Sequence, residues 1–303
     1  MGITTALAKR ATRSESTLRG KLLGFVRGEL DDLIQRVAGN DFDKRIAQIQ
    51  ARGQGADPFG FDPEWAKYAL ASAALFHKYY FRVETHGIDN VPEGRALLIA
   101  NHSGQIPIDA GLILSAMFYD ANPPRMLRSM VEKWSQTLPV VSTFFARCGQ
   151  VVGVPENATR LLEMGEALLV FPEGTRGISK PFSERYRLQD FGLGFMRLAL
   201  ETRTPIVPIA VVGAEEQYIN LGNVQSLARA LKMPVFPIVP QWMIPGLQMP
   251  LPTRYRIYFG DPLEFKGDPD DEDAVMEEKV EVVRATIQAM INRGLKQRKG
   301  LFW

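Results

Sequence analysis

Apolar residues gather in short, nearly unbroken runs along this chain. Ala96–Ala100 (ALLIA), Ala167–Phe171 (ALLVF) and Pro205–Val212 (PIVPIAVV) read as strands buried on both faces. Gln150–Val154 reads as a short strand, and Tyr255–Phe259, with alternating character, as another. Between them lie segments with helical spacing: Ala110–Phe118, Asn157–Met164, Phe191–Glu201 and a last helix from near Asp271 to about Lys296. Ahead of these, Leu30–Gln50 reads as helix. Arg52–Asp62, rich in Gly, Asp and Pro, reads as a linker, and Pro63–Phe81 as a second helix with Pro63 suited to its first turn. Apolar strands alternating with helices predict an α/β fold, a mixed and mostly parallel sheet flanked by helices, with an N-terminal helical extension. The expected division is residues 1–60 for that extension and 61–303 for the main domain.

Two segments depart from a plain globular pattern. Residues 1–27 carry six cations and only Glu15 as an acid, with Leu18, Leu22, Leu23, Phe25 and Val26 interleaved. This suits a helix lying on anionic lipid, or a solvated helix packed on the main domain. Met233–Thr253 is free of charge but holds six prolines, each worth about 3 kcal/mol against a helix interior. It reads as an apolar extended segment that touches lipid, lines an acyl-chain groove, or packs on its own domain. The tail from Arg284 to Trp303 is basic, lacks acids and ends in Leu301-Phe302-Trp303, which suits an interface or a frayed helix end with a solvated tail.

Composition narrows the chemistry. Of 303 residues, 46% are hydrophobic and 23% charged, so disorder and a disulfide miniprotein are excluded. A net charge of +2 gives no global case for nucleic acid. Cys148 is the only cysteine, which excludes a disulfide framework and a multi-cysteine metal site and points to a reducing compartment. Three histidines, His77, His86 and His102, limit the imidazole chemistry. His77 reads as a packed helix residue and His86 as a turn residue.

The chemistry gathers after two strands. Asn101-His102-Ser103-Gly104 follows ALLIA directly, and ligand sites in open α/β sheets lie at the carboxyl ends of strands. A histidine there can act as general base, with Asp109 as the carboxylate that orients it. Against this stand two plainer readings: Asp109 as a helix N-cap, and His102 as a satisfied strand-end histidine. Ser103 lacks the Gly-x-Ser-x-Gly elbow of a serine hydrolase. The second segment, Phe171-Pro172-Glu173-Gly174-Thr175-Arg176, offers a tight turn and a guanidinium fork for phosphate or carboxylate, with Glu173 able to bind a hydroxyl or pair with Arg176. Lys180, Arg185 and Arg187 follow.

Together these segments resemble the first and third motifs of the glycerolipid acyltransferase superfamily, Asn-His-(four residues)-Asp and Phe-Pro-Glu-Gly-Thr-Arg. Thr204–Ile209 resembles its fourth block. The resemblance covers roughly residues 80–265, and the runs NHSG, FPEGTRG-x-SKPF-x-ERY and VVGAEE are most similar to its monoacylglycerol-acyltransferase-like branch. It implies acyl transfer from acyl-CoA or acyl carrier protein to a glycerolipid hydroxyl, with His102 and Asp109 catalytic. Glu173, Gly174, Thr175 and Arg176 would bind substrate, with Gly174 and Thr175 presenting backbone donors. Lys180 and Arg185 would meet the donor's phosphates. No metal or resident cofactor is expected; the partners are the thioester, a lipid acceptor and a membrane surface, at whose cytoplasmic face the protein would sit, peripheral or monotopic. The alternatives are phosphatidate synthesis from lysophosphatidate and a non-catalytic lipid-binding relative. Two departures stand out: Asp109 follows His102 by seven positions rather than five, and the second-motif stretch Val151–Glu156 has no arginine at its end.

Overall fold

The computed structural model describes residues 29, 32–51, 57–131, 139–231 and 235–302. The basic stretch 1–27 lies outside them. The chain divides into two compact units, Met1–Lys44 and Arg45–Trp303. In the first, helical residues 32–38 stop at Gly39, whose φ of 103° a right-handed helix cannot hold. The single helix expected over Leu30–Gln50 is therefore broken, and α1 (Phe42–Ala51) begins afresh.

In the second unit the described part of the expected linker is packed. Within the expected linker, the Asp57 carboxylate accepts from Phe59 N and Phe61 N, Phe61 is buried, and Arg128 reaches the same carboxylate at 2.6 Å. Residues 57–62 are thus part of the packed unit. Asp62 caps α2 (Pro63–Ala74) by accepting from Glu64 N and Trp65 N. The last residues of the expected helix, Leu75–Tyr80, wind as a π-helix.

Seven strands form one sheet in the order β1-β7-β6-β2-β5-β3-β4. They are β1 (Glu84–His86), β2 (Ala96–Ala100), β3 (Leu127–Val131), β4 (Gln150–Val152), β5 (Ala167–Val170), β6 (Ile206–Val212) and β7 (Arg256–Phe259). Strands β6, β2, β5, β3 and β4 run parallel; β7 is antiparallel to β6, and β1 parallel to β7. The helices are α3 (Ile108–Tyr119), α4 (Pro139–Arg147), α5 (Pro155–Glu163), α6 (Thr175–Ile178), α7 (Gly194–Thr202), α8 (Gln225–Ala230), α9 (Pro240–Met243) and α10 (Asp273–Gln297).

Both faces of the central strands are covered. Leu97, Ile99, Leu168, Ile206 and Val212 join a core with Met196 of α7 and Val283, Ile287 and Ile291 of α10. Leu98, Ala100, Leu169, Val207 and Ile209 join another with Leu112, Ile113 and Ala116 of α3. Alternate residues of one strand thus serve opposite cores, which is why these strands read as unbroken apolar runs. Each fully buried Leu or Ile contributes about 1.5–3 kcal/mol.

The basic tail is held at a few points. Arg298 pairs with Glu216 at 2.6 Å, Arg284 with Glu281 at 2.7 Å, and Arg254 N donates to Leu301 O. Leu301 and Phe302 stay exposed.

Candidate active site

Strands β2 and β5 are parallel neighbours with Ile99 opposite Val170. Asn101-His102 and Phe171-Pro172-Glu173 therefore leave the sheet side by side at its carboxyl end, although some seventy positions separate them in sequence. The side-chain amide of Asn101 continues the pairing past the end of β2. It donates to Val211 O at 3.1 Å and accepts from Val211 N at 2.7 Å, which holds the exit of β2 against β6.

His102 is fixed from several sides. Its backbone N–H donates to Glu173 Oε1 at 2.9 Å, and its ring stacks on Phe171 with centroids 4.1 Å apart. Its Nδ1 lies 2.8 Å from Asp109 Oδ2. That oxygen also accepts from Ser103 N at 2.9 Å, while Oδ1 accepts from Ala110 N. Asp109 is fully buried in the first turn of α3, where the helix dipole favours its charge. The N-cap is Pro107, so the capping role considered for Asp109 is not the one it plays. The longer His-to-Asp spacing is taken up by the loop through Gly104, and Asp109 still reaches the imidazole. Because an ionised carboxylate only accepts, Nδ1 carries the proton in this pair. Nε2 has no hydrogen-bond partner among the described residues, and the side chain keeps 13% of its surface exposed. Such an imidazole can take a proton at Nε2 while the buried carboxylate stabilises the resulting cation.

The second motif shapes the loop beside it. Glu173 is buried, with Oε1 on His102 N and Oε2 on Gln189 N at 2.8 Å, so it struts the histidine loop rather than facing a substrate hydroxyl. Gly174 adopts φ 57° and ψ −142°, and its N–H donates to Phe171 O at 3.1 Å. That donor is committed within the turn, contrary to the expectation that it faces the reacting groups. Thr175 begins α6. Arg176 is exposed, with one N–H on Asp190 O at 2.9 Å.

Lys180 does not present its charge to solvent. It is buried, donating to Glu215 Oε1 at 3.0 Å and to Arg187 O, with Glu173 3.6 Å away. The expected donor-phosphate contact at Lys180 is therefore corrected to an internal ion cluster. Burial raises the Glu215 carboxyl to about 7, with Lys180 opposing the shift. Arg185 is exposed and lies over the Phe182 ring. Glu216 accepts from Tyr186 and Arg298, and burial holds the Tyr186 phenol well above its ordinary range.

Sequence reasoning did not single out Gly177 or Gln217. A Cβ on Gly177 would lie 2.8 Å from His102 O and 3.0 Å from His102 Cβ, so only glycine lets α6 sit against the histidine loop. Gln217 is fully buried against Gly104, whose φ is 75°; a Cβ there would stand 1.9 Å from Gln217 Nε2.

The other candidates fall as follows. His77 is buried between Ser115 and Asp120, and His86 ends β1 stacked on Tyr258. Burial pushes the Cys148 thiol up to about 11, so the thiolate is scarce at neutral pH. The Ser103 hydroxyl is buried with no hydrogen-bond partner, and the adjacent imidazole is directed to Asp109, so no Ser–His pair forms. Glu156 is exposed at the start of α5, and the nearby Arg147 and Arg160 lie over the rings of Trp65 and Phe59, at 5.3 and 5.4 Å. Among the described residues no group of His, Cys, Asp and Glu is arranged to hold a metal ion.

A family model described as Acyltransferase matches residues 82–212. An uncharacterized protein of Mycobacterium tuberculosis (strain H37Rv) is 39% identical over 285 residues, spanning 91% of this chain and 78% of its own. A mouse protein named "DGAT1/2-independent enzyme synthesizing storage lipids" is 26% identical over 221 residues, covering 73% of this chain and 62% of that one. The crystal structure of the 1-acyl-sn-glycerophosphate acyltransferase PlsC from Thermotoga maritima superposes with a TM-score of 0.51 at 19% identity, covering 78% of this chain and 80% of PlsC. That likeness concerns the fold.

Proposed function

Because the chain belongs to the glycerolipid acyltransferase superfamily, we propose that it transfers a fatty acyl group from an acyl thioester to the hydroxyl of a neutral glyceride, with His102 as general base and Asp109 as its partner. The observation that carries this reading is the 2.8 Å contact between His102 Nδ1 and the buried Asp109, which leaves Nε2 to face the acceptor. The acceptor oxygen attacks the thioester carbonyl as Nε2 takes its proton. The C–O bond forms, the C–S bond breaks, and the imidazolium returns the proton to the departing thiolate. Asp109 stabilises the imidazolium in between. The donor, acyl-CoA or acyl carrier protein, is a co-substrate, and the step balances without another reactant. Holding both substrates in register is worth about 7–11 kcal/mol, and general base catalysis about 10²–10⁴-fold.

Charge placement supports a neutral acceptor. A phosphate monoester in a partly dry site needs cationic partners. Arg176 is one, but Pro155 or Glu156 stands where the resemblance leads one to expect an arginine, and Arg147 and Arg160 lie over aromatic rings. The name of the mouse relative points the same way. The protein would work as a peripheral enzyme at the cytoplasmic face of a membrane; among the described residues no helix is long and apolar enough to cross one. The test compares kcat/KM for lysophosphatidate with that for mono- and diacylglycerol in mixed micelles. The neutral lipids should be preferred. A tenfold preference for lysophosphatidate, about 1.4 kcal/mol in transition-state binding, would overturn this acceptor.

A further inference from the structure

Between β6 and β7 the chain leaves the sheet, and in that excursion residues 242–249 are all exposed. They read WMIPGLQM, and five of the eight are large and apolar: Trp242, Met243 (79% exposed), Ile244, Leu247 and Met249. Single exposed apolar residues are ordinary, but a contiguous patch marks an interaction surface. Its scaffold is tightly tied. Gln241 Oε1 accepts from Ile219 N at 2.9 Å, Tyr218 OH donates to Gln248 O at 3.1 Å, and Gln248 Nε2 donates to Ile244 O at 3.0 Å. On the far side Tyr80 OH donates to Pro250 O at 2.5 Å. These bonds fix the course of the backbone while the apolar side chains stand outward.

Two observations say what covers this patch. The first is charge. No Asp or Glu occurs from Gln217 to Gly260, whereas Arg229 is exposed on α8 and Lys232 follows in sequence. An apolar segment followed and preceded in sequence by cations rather than acids complements an anionic lipid surface, and Trp242 is the kind of amphipathic ring that settles at such an interface. The second is position. Tyr218 packs edge-on against Trp242, at 5.6 Å between centroids, and also lines a small polar pocket with Gly104, Gln105, Lys180 and Phe182. Gln217 accepts from Leu251 N at 2.8 Å and presses on Gly104, two residues from His102. The patch therefore borders the catalytic loop.

We propose that the Trp242–Met249 tip is a docking surface for a bilayer containing anionic lipid, seated so that a membrane-borne acceptor is held on the side of the molecule that carries the His102 loop. The inference rests on the reading of the acceptor as a lipid. The test uses the full chain, the Trp242→Phe variant and the double variant Met243→Glu/Leu247→Glu, with vesicles of equal parts phosphatidylcholine and phosphatidylglycerol. Subtracting the Trp242→Phe spectrum isolates Trp242 from the other tryptophans. In lipid-free solution this difference emission should be that of exposed indole and open to iodide. With vesicles it should shift to the blue and be quenched by chain-brominated lipid. The double variant, checked for folding by circular dichroism, should lose at least tenfold in vesicle partitioning. Four results would overturn the proposal: an unchanged Trp242 signal on adding vesicles, a Trp242 already shielded from iodide without lipid, a lipid-free dimer that the double variant dissociates, or full vesicle binding by the double variant. Vesicle binding is read without turnover, so a failure of the acyl-transfer reading would register in the activity assay and not here.

Discussion

Replacing Asp109 with Asn separates the role of its charge from its role in the fold. In the native protein its two oxygens accept three N–H groups, from His102 Nδ1, Ser103 and Ala110. An asparagine offers one acceptor oxygen. If that oxygen faces His102 and Ser103, its NH₂ meets the Ala110 N–H, a buried donor against a donor, at a cost of about 1–3 kcal/mol in stability. The loss in transition-state stabilisation is larger. The imidazolium formed during proton transfer loses a carboxylate roughly 4 Å from its charge, worth about 4 kcal/mol at an effective dielectric constant of about 20. Part of that sum is returned by the remaining hydrogen bond, so kcat should fall about 10²–10³-fold. The assay is initial-rate acyl transfer from acyl-CoA to monoacylglycerol, with thermal unfolding measured on the same preparation. A folded Asp109→Asn protein turning over within threefold of the native rate would show that the carboxylate does not support the histidine. A kcat that falls only in proportion to lost folded protein would make its role structural.

Two further changes test how the site is held. Gly177→Ala places a methyl 2.8 Å from His102 O, so the histidine loop must move; kcat should drop at least tenfold while stability falls by about 1–3 kcal/mol, and a native kcat would deny that this packing positions the base. Glu215 tests the buried ion cluster by pH. Its carboxyl is raised from 4.5 to about 7, so the folded state holds that proton more tightly than the unfolded chain does. Its stabilising contribution is fullest below about pH 4.5 and is lost as pH climbs through about 7, by at most about 3 kcal/mol. Urea unfolding across that window should show a smaller fall for Glu215→Gln than for the native protein; parallel profiles would sink the assignment.

Much of the fold is legible in sequence because the central strands are buried on both faces. ALLIA, ALLV and IVPIAVV are short, bounded apolar runs of strand length, and the parallel order then brings the Asn-His and Phe-Pro-Glu-Gly segments to one end of the sheet. β3 escaped notice because Arg128 interrupts its apolar pattern. The structure buries that guanidinium on Asp57 and Gly149 O, neither of which is near it in sequence. For the same reason Asp57–Asp62 looked like a linker. α4 (PVVSTFFAR) is apolar, yet none of its side chains is fully buried, so it was not picked out as a core-packed helix. In the site, motif spacing identified His102 and Asp109. It could not assign Glu173 and Lys180 to interior struts, because their partners Gln189 and Glu215 come from other loops. The contacts of Gly177 and Gln217 likewise exist only once the loops have packed.

The central claim is that His102 removes the acceptor proton. It is tested most directly by acyl-transfer turnover of His102→Ala with saturating acyl-CoA and monoacylglycerol, on protein shown by circular dichroism to be folded. The His102 side chain is partly exposed and makes one hydrogen bond, to Asp109, and one ring stack, on Phe171, among the described residues, so the fold should survive. The account predicts a fall of at least about 10²–10⁴-fold in kcat. Turnover within tenfold of the native enzyme would contradict it.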